Sequence, residues 1–310
     1  MRVINGLKSF ASCPGGCVIA IGVFDGVHLG HQKIIKALVE EAKKFGLPSL
    51  LLTFHPHPET ILSKREVNLL QTLDQRMSEI KKYGVQMAAV LPFNKKFAKL
   101  SAEEFIQTVI MDKFKAKKII VGDNFRFGKK REGDVKKLRE FALQCGFSVV
   151  SIPAVKKQNF VVSSSLIRDQ LRRGDIETAN TLLGRPYEIS GTVVKGKSRG
   201  KTLGFPTANI HPANDIAPPG VFISKICIDS KLFPSVTHVG TKPTFNEPET
   251  MIESYIIDYK NDLYGKNLRV LFLKKIRNEK KFETSDELSF QIKKDLNQAQ
   301  GFFKKKKSLA

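Results

Sequence analysis

The chain is written in two rhythms, and the change between them constrains its fold more than any other feature. In the first half, apolar runs alternate with amphipathic stretches. "CVIAIGVF" and "SLLLTF" are near-continuous apolar runs, as expected of strands buried on both faces, and "VQMAAVL", "KKIIVG" and "FSVVSIPAV" repeat the signal. Between them, "HQKIIKALVEEAKKFG" carries Ile34, Ile35, Leu38, Val39, Ala42 and Phe45 at helical spacing and stops at Gly46. "SAEEFIQTVIMDKF" opens with Ser101 and Glu104 at capping-box spacing, and "GDVKKLREFALQCG" reads as a further helix. Strand followed by helix, repeated, predicts an α/β fold with a parallel, doubly wound, Rossmann-like sheet.

From Tyr187 onward the elements shorten to "EISGTVVKG", "VFISKICI", "SVTHVG", "MIESYIIDY" and "NLRVLFLKKI", separated by turns rich in Gly, Pro, Asn and Asp. That pattern predicts a small antiparallel β-barrel. One C-terminal helix follows, with Thr284 and Glu287 at capping-box spacing and a stripe of Leu288, Ile292 and Leu296. The 310 residues suit two domains, expected over 1–184 and 185–310.

The net charge of +22 fits anionic partners: nucleic acid, phosphorylated small molecules or a membrane surface. No RNA-binding signature with interleaved aromatics occurs, and no run reaches the ~18 apolar residues of a membrane span. The start, "MRVINGLKSF", lacks the apolar stretch of a signal peptide. The four cysteines form no pair of C-x-x-C motifs, so a cytoplasmic protein with reduced thiols is expected.

Two stretches carry chemistry. "VVKGKSRGKTLGFPTANI" nearly contains a phosphate loop, but only Lys197, Ser198 and Arg199 separate Gly196 from Gly200, and a Walker loop needs four residues there. Pro206 also forbids the helix such a loop requires. A glycine-rich basic loop can still cradle phosphates through backbone N–H groups; a plain solvated turn is the alternative. "GVFDGVHLGHQ" links the first strand to the first helix, where free N–H groups and partial positive charge attract anions. His28 and His31 frame Gly30 there, and "TFHPHPE" ends the second strand, so four of six histidines fall in two strand-end loops. They suit phosphate stabilisation; ordinary loop histidines or a metal site of His28, His31, His55 and His57 are the alternatives.

"FDGVHLGH" resembles the H-x-G-H signature of nucleotidyltransferases. The longer series "TFHPHPE", "VGDNFRFGKKREGD", "VSSSLIRDQL", "GKTLGFPTANI", "PPGVF", "VGTKPTF" and "IESYIIDY" resembles the bacterial bifunctional riboflavin kinase/FMN adenylyltransferase (FAD synthetase) family, in family order over nearly the whole chain. The resemblance implies that the first domain transfers AMP from ATP to FMN. His28 and His31 would then hold the phosphates and the transition state, and Gly22, Phe24, Asp25 and Gly30 would line the nucleotide site. Ser163, Ser164 and Arg168 of "VSSSLIR" would reach the phosphates, and Asn124 the reacting phosphate or flavin. Phe54, His57, Arg126 and Phe127 are the implied flavin contacts.

The second domain would phosphorylate riboflavin. Its near-miss phosphate loop is then the kinase's own, with Gly196, Arg199, Thr202 and Gly204 at ATP and Thr207 and Asn209 at Mg²⁺, whose preference for oxygen ligands suits a hydroxyl and an amide. Glu253 matches the family's catalytic base. It shares strand parity with Met251, Tyr255 and Ile257, which reads as an apolar face. The partners implied are riboflavin, FMN, FAD and ATP, with no nucleic acid and no membrane; weak self-association stays open. Val23, His55 and Ser165 depart from the family pattern, Val23 standing where asparagine is common. Rival readings are a tRNA-charging-like enzyme, a binding module without turnover, and an adenylyltransferase for another acceptor.

Overall fold

The computed structural model describes residues 1–10, 13, 15–63, 66–196, 204–242 and 249–307. The chain forms two compact units, Met1–Asn68 with Thr72–Ser163, and Leu69–Gln71 with Ser164–Ala310.

The first unit is built on a six-stranded parallel sheet of β1 (Arg2–Asn5), β2 (Cys17–Ile21), β3 (Ser49–His55), β4 (Met87–Pro92), β5 (Ala116–Gly122) and β6 (Ser148–Ile152), in the order β1-β4-β3-β2-β5-β6. Successive side chains point to opposite faces, so each strand feeds two cores. Cys17, Ile19, Ile21, Leu50 and Leu52 meet one set of helices; Val18, Ala20 and Leu51 meet the other. Helix α1 (Leu29–Phe45) buries Ile35, Leu38 and Ala42 in the second core and ends at Gly46, whose φ of 63° is left-handed. The first core takes Leu138 and Ala142 of α5 (Val135–Cys145).

Three local features depart from the sequence pattern. The helix expected from Ser101 starts with its capping box in α4 (Ala102–Glu104) and widens to π geometry over Phe105–Met111, where the Asp112 N–H donates to the Gln107 carbonyl at 2.9 Å. Strand β1 is an edge of only four residues. Between the short α2 (Pro58–Leu62) and β4 lies α3 (Leu73–Lys81), which buries Arg76 and Glu79 beside Met77 and Ile80. Two charged residues on its buried face blur the apolar stripe that reveals α1. A small hairpin, β7 (Lys156–Lys157) and β8 (Phe160–Val161), completes the unit.

The second unit is a closed antiparallel barrel. It comprises β9 (Tyr187–Val194), β10 (Ala208–Pro212), β11 (Gly220–Ile228), β12 (Lys231–Lys242), β13 (Glu249–Ile256) and β14 (Asn267–Arg277), in the order β10-β13-β12-β11-β14-β9. Strand β9 pairs back with β10, which leaves no free edge. Helices α6 (Ser164–Arg172) and α7 (Ile176–Leu183) join this unit. The Asn180 side chain of α7 donates to the Phe272 carbonyl at 2.9 Å and accepts from the Tyr187 N–H at 2.6 Å. These bonds tie α7 to strands β14 and β9. The short stretch Leu69–Gln71 also belongs here: the Leu69 N–H donates to Asp215 at 2.7 Å.

The barrel's buried parity on β13 is Ile252, Ser254 and Ile256. Glu253 stands on the opposite face and is half-buried, so its parity does not mark the most apolar side of the strand. The pattern misled because a polar residue lies inside. Ser224, Ser235, Thr237 and Ser254 are fully buried, and their hydroxyls bond in a chain: Ser235 to Ser224 at 2.8 Å, Ser224 to Thr237 at 2.6 Å and Thr237 to Ser254 at 2.8 Å. A hydroxyl can both donate and accept, so Ser224 and Thr237 in the middle of the chain each bridge two neighbours. The C-terminal helix Ser285–Lys307 is capped by Thr284 Oγ1, which accepts from the Glu287 N–H at 3.2 Å. Its buried Asp295 grips Arg277 of β14 through Nη2 at 2.9 Å and Nε at 3.0 Å.

Candidate active sites

Strand β2 sits between β3 and β5, so the chain crosses one way to β3 and later returns on the other side. Such a switch point opens a crevice at the carboxyl ends of the strands. The loop from Gly22 to His28 leaves β2 there and enters α1. It is tightly folded: Phe24, Gly26 and Val27 have φ of 57°, 84° and 40°. A Cβ on Gly22 would lie 3.1 Å from the Phe24 ring.

His28 caps α1. Its Nδ1 accepts from the His31 N–H at 3.3 Å, so a neutral His28 carries its proton on Nε2. The His28 and His31 rings stack with centroids 3.6 Å apart and planes inclined by 17°, and the Phe24 ring meets His31 edge-on at 5.3 Å. Gly30 makes room for this: a Cβ there would come within 3.1 Å of the His28 ring. Asp25 and His28 are buried, at 2% and 6% exposure. The result is two adjacent imidazoles on a helix N-terminus, a ready anion site.

Asn124 follows β5, the other flank of the crevice. It is exposed, and its carboxamide folds back over Gly122, where a Cβ would meet its Oδ1 at 3.1 Å. Beyond it, Phe125 and Phe127 stack at 5.4 Å, and exposed Arg126 donates to the Phe125 carbonyl at 2.9 Å. Phe54, next to last in β3, is in contact with Phe93 and Phe97, each at 5.7 Å. Phe97 continues to Phe105 at 6.1 Å and Phe105 to Phe127 at 5.9 Å. Half-buried Phe93 and Phe97, which sequence reasoning missed, thus join the implied flavin contacts Phe54 and Phe127 in one aromatic series.

His57 caps α2 through its Nδ1, which accepts from the Glu59 N–H at 3.1 Å, and His55 is exposed. No group of three or more His, Cys, Asp or Glu among the described residues is placed to hold a metal, so the four histidines do not form a metal centre. Ser163 closes the first unit, while Ser164 and buried Arg168 belong to α6 of the second.

In the barrel, Asn209 of β10 stands opposite Glu253 of β13, and Glu253 stands opposite His238 of β12. Directly opposed residues project from the same face with Cβ atoms about 5 Å apart. Asn209 and Glu253 are therefore neighbours, with Thr207 two residues before Asn209. A Cβ on Gly196 would fall 2.2 Å from the Asn209 amide nitrogen, so Gly196 lies directly against that carboxamide. Gly204 has a left-handed φ of 83°, and the Phe205 ring meets Tyr255, on the Glu253 face of β13, at 6.0 Å. Arg199 and Thr202 lie outside the described residues. His238, whose Nε2 is 3.5 Å from Glu279 Oε1, had no sequence signal, because strand register joins it to Glu253.

A family model described as FAD synthetase matches residues 11–166, and one described as riboflavin kinase matches residues 183–303. The curated bifunctional riboflavin kinase/FMN adenylyltransferase of Escherichia coli (strain K12) is 36% identical over 307 residues, covering 98% of each chain. The protein of the same description from Bacillus subtilis (strain 168) is 37% identical over 293 residues, 92% of each. The chain belongs to the bifunctional riboflavin kinase/FMN adenylyltransferase family. Its two activities are those of a riboflavin kinase and an FMN adenylyltransferase. A crystal structure from Streptococcus pneumoniae, described as a macrolide-efflux protein, is 30% identical with a TM-score of 0.90, over 97% of this chain and 99% of that one. No helix among the described residues here is long and apolar enough to cross a membrane.

Proposed function

We propose that residues 1–184 adenylylate FMN at the His28/His31 site and residues 185–310 phosphorylate riboflavin at the Asn209/Glu253 site. The stacked imidazole pair on the α1 N-terminus carries the first assignment. An FMN phosphate oxygen attacks the α-phosphorus of ATP, the bond to the β-phosphate breaks, and pyrophosphate leaves. His28 Nε2 and His31 donate to the phosphate oxygens as charge moves onto them, and the helix terminus adds its partial charge. Gly22, Phe24, Asp25 and Gly30 shape the nucleotide side, and Asn124 orients the attacking phosphate. Phe54, Phe127, His57 and Arg126 receive the flavin. Ser163 of the same unit adds a hydroxyl to the phosphate contacts.

The adjacency of Asn209 and Glu253 across two strands carries the second assignment. Glu253 takes the proton from the riboflavin 5′-hydroxyl as that oxygen attacks the γ-phosphorus, and ADP leaves. An amide and a hydroxyl beside a glycine turn with no room for a Cβ fit Mg²⁺, which prefers a few protein oxygens together with phosphate and water. Asn209 and Thr207 would hold it, and it would neutralise charge on the phosphates. Gly196, Arg199, Thr202 and Gly204 form the ATP loop. The proposed setting is cytoplasmic, with riboflavin, FMN and ATP as partners.

The test is a time course with riboflavin, ATP and Mg²⁺, with the flavins separated by chromatography. FMN followed by FAD is expected. Glu253→Gln should stop FMN formation and spare FAD formation from supplied FMN, and His31→Ala should do the reverse. Loss of both activities in either folded variant would sink the two-site assignment.

A further inference from the structure

Beneath the nucleotide loop of the first unit lies a buried cation. Arg76 of α3 is 2% exposed. Its Nη1 donates to the Val23 carbonyl at 2.7 Å, and that oxygen also accepts from Thr53 Oγ1 at 2.9 Å. Among the described residues Arg76 Nε has no hydrogen-bond partner. Burial weakens the guanidinium's hold on its proton, and the Asp25 carboxylate acts in the opposite sense. Arginine stays charged even so.

A buried charge is costly, and replacing it by an apolar side chain is often neutral or stabilising for the fold. Its placement here has a second consequence. Asp25 is a buried carboxylate in a loop that receives a triphosphate. Buried charges are poorly screened, so the Asp25 charge opposes an incoming triphosphate. Arg76 bonds the same loop two residues before Asp25, and its positive charge acts on that carboxylate. We propose that Arg76 is a positioning residue of the adenylyl-transfer site: its charge neutralises Asp25 beneath the ATP phosphates while its Nη1 holds the Val23 carbonyl. The inference rests on the assignment of that site to the Gly22–His31 loop.

The test is the KM for ATP in adenylyl transfer to supplied FMN, measured on the full chain, with riboflavin kinase activity in the same preparation as the control for folding. Arg76→Gln keeps an amide donor for Val23 and removes the charge. It should raise the KM for ATP about tenfold, or about 1.4 kcal/mol. Arg76→Lys keeps the charge and should stay within about threefold. In an Asp25→Asn background the effect of Arg76→Gln should shrink to about twofold, because the charge it offsets is gone. Equal effects of Arg76→Gln in the two backgrounds, or of Gln and Lys at position 76, would overturn the proposal. If Arg76→Gln loses kinase activity as well, Arg76→Lys decides alone: a KM within threefold supports the proposal and a tenfold rise refutes it. His31→Ala in the same assay separates the premise from the inference. Full adenylyl transfer by that variant would refute the site assignment itself.

Discussion

Adding one methyl group at Gly196 should uncouple the two activities of this chain. The Cβ of Gly196→Ala would lie 2.2 Å from the Asn209 amide nitrogen, 2.4 Å from its carbonyl carbon and 2.6 Å from its oxygen, where ordinary contact begins at 3.4 Å. The carboxamide must therefore move by about 1 Å. A short side-chain amide moves away cheaply, so the cost to folding is small. Placement is a different matter, since a displacement of about 1 Å in a catalytic constellation costs on the order of 100-fold, or about 2.7 kcal/mol of barrier. The kcat/KM for riboflavin phosphorylation should fall by about that factor, partly recovered at high Mg²⁺. Adenylyl transfer from supplied FMN, catalysed in the other unit, should be unchanged and serves as the control. Phosphorylation within threefold of the parent chain would refute the reasoning: either the carboxamide is not needed where it stands, or the glycine turn does not press on it.

Three further outcomes follow from the packing. Thr237→Val breaks the buried hydroxyl chain at its centre, leaving Ser224 bonded to Ser235 and depriving Ser254 of its partner in the chain; barrel stability by chemical denaturation should drop by about 2 kcal/mol. Glu41 is held below the usual carboxylate range by hydrogen bonds from Lys118 at 2.6 Å and Lys44 at 2.7 Å. Because its folded value is the lower one, its stabilisation is present above the unfolded value and is lost as pH falls through the folded one. Glu41→Gln should therefore cost about 1 kcal/mol at pH 7 and almost nothing near pH 2, read from the melting transition of the first unit at both pH values. Gly301→Ala, on an exposed position of the C-terminal helix with nothing within 4 Å of the new Cβ, should stabilise that helix by about 0.5–1 kcal/mol and raise the barrel's Tm.

Much of this molecule was legible because its signals are local. The apolar runs of β2, β3 and β4 and the stripe of α1 repeat within a few residues of chain, and Gly46 and Ser101 mark ends by a left-handed backbone and a side-chain cap. Helix α3 was invisible because Arg76 and Glu79 occupy its buried face, and β1 because four residues carry too little pattern. The face of Glu253 was misjudged because Ser254 is polar and inside. A single strand does not reveal that Thr237 waits across the sheet to satisfy it.

The sequence by itself determined the two-part architecture and, through its motifs, the residue types at both sites: imidazoles at a helix start, a glycine turn, an amide and a carboxylate. Only the tertiary structure decided how those groups meet. The strand order set β2 beside β5 and so placed Asn124 across the crevice from His28. Barrel register set Asn209, Glu253 and His238 in one row, and the packing of α3 put a buried guanidinium under Val23. Each of these is a contact between segments far apart in the chain. Periodicity reports which face of an element is buried; which partner it is buried against is fixed by packing the whole chain at once.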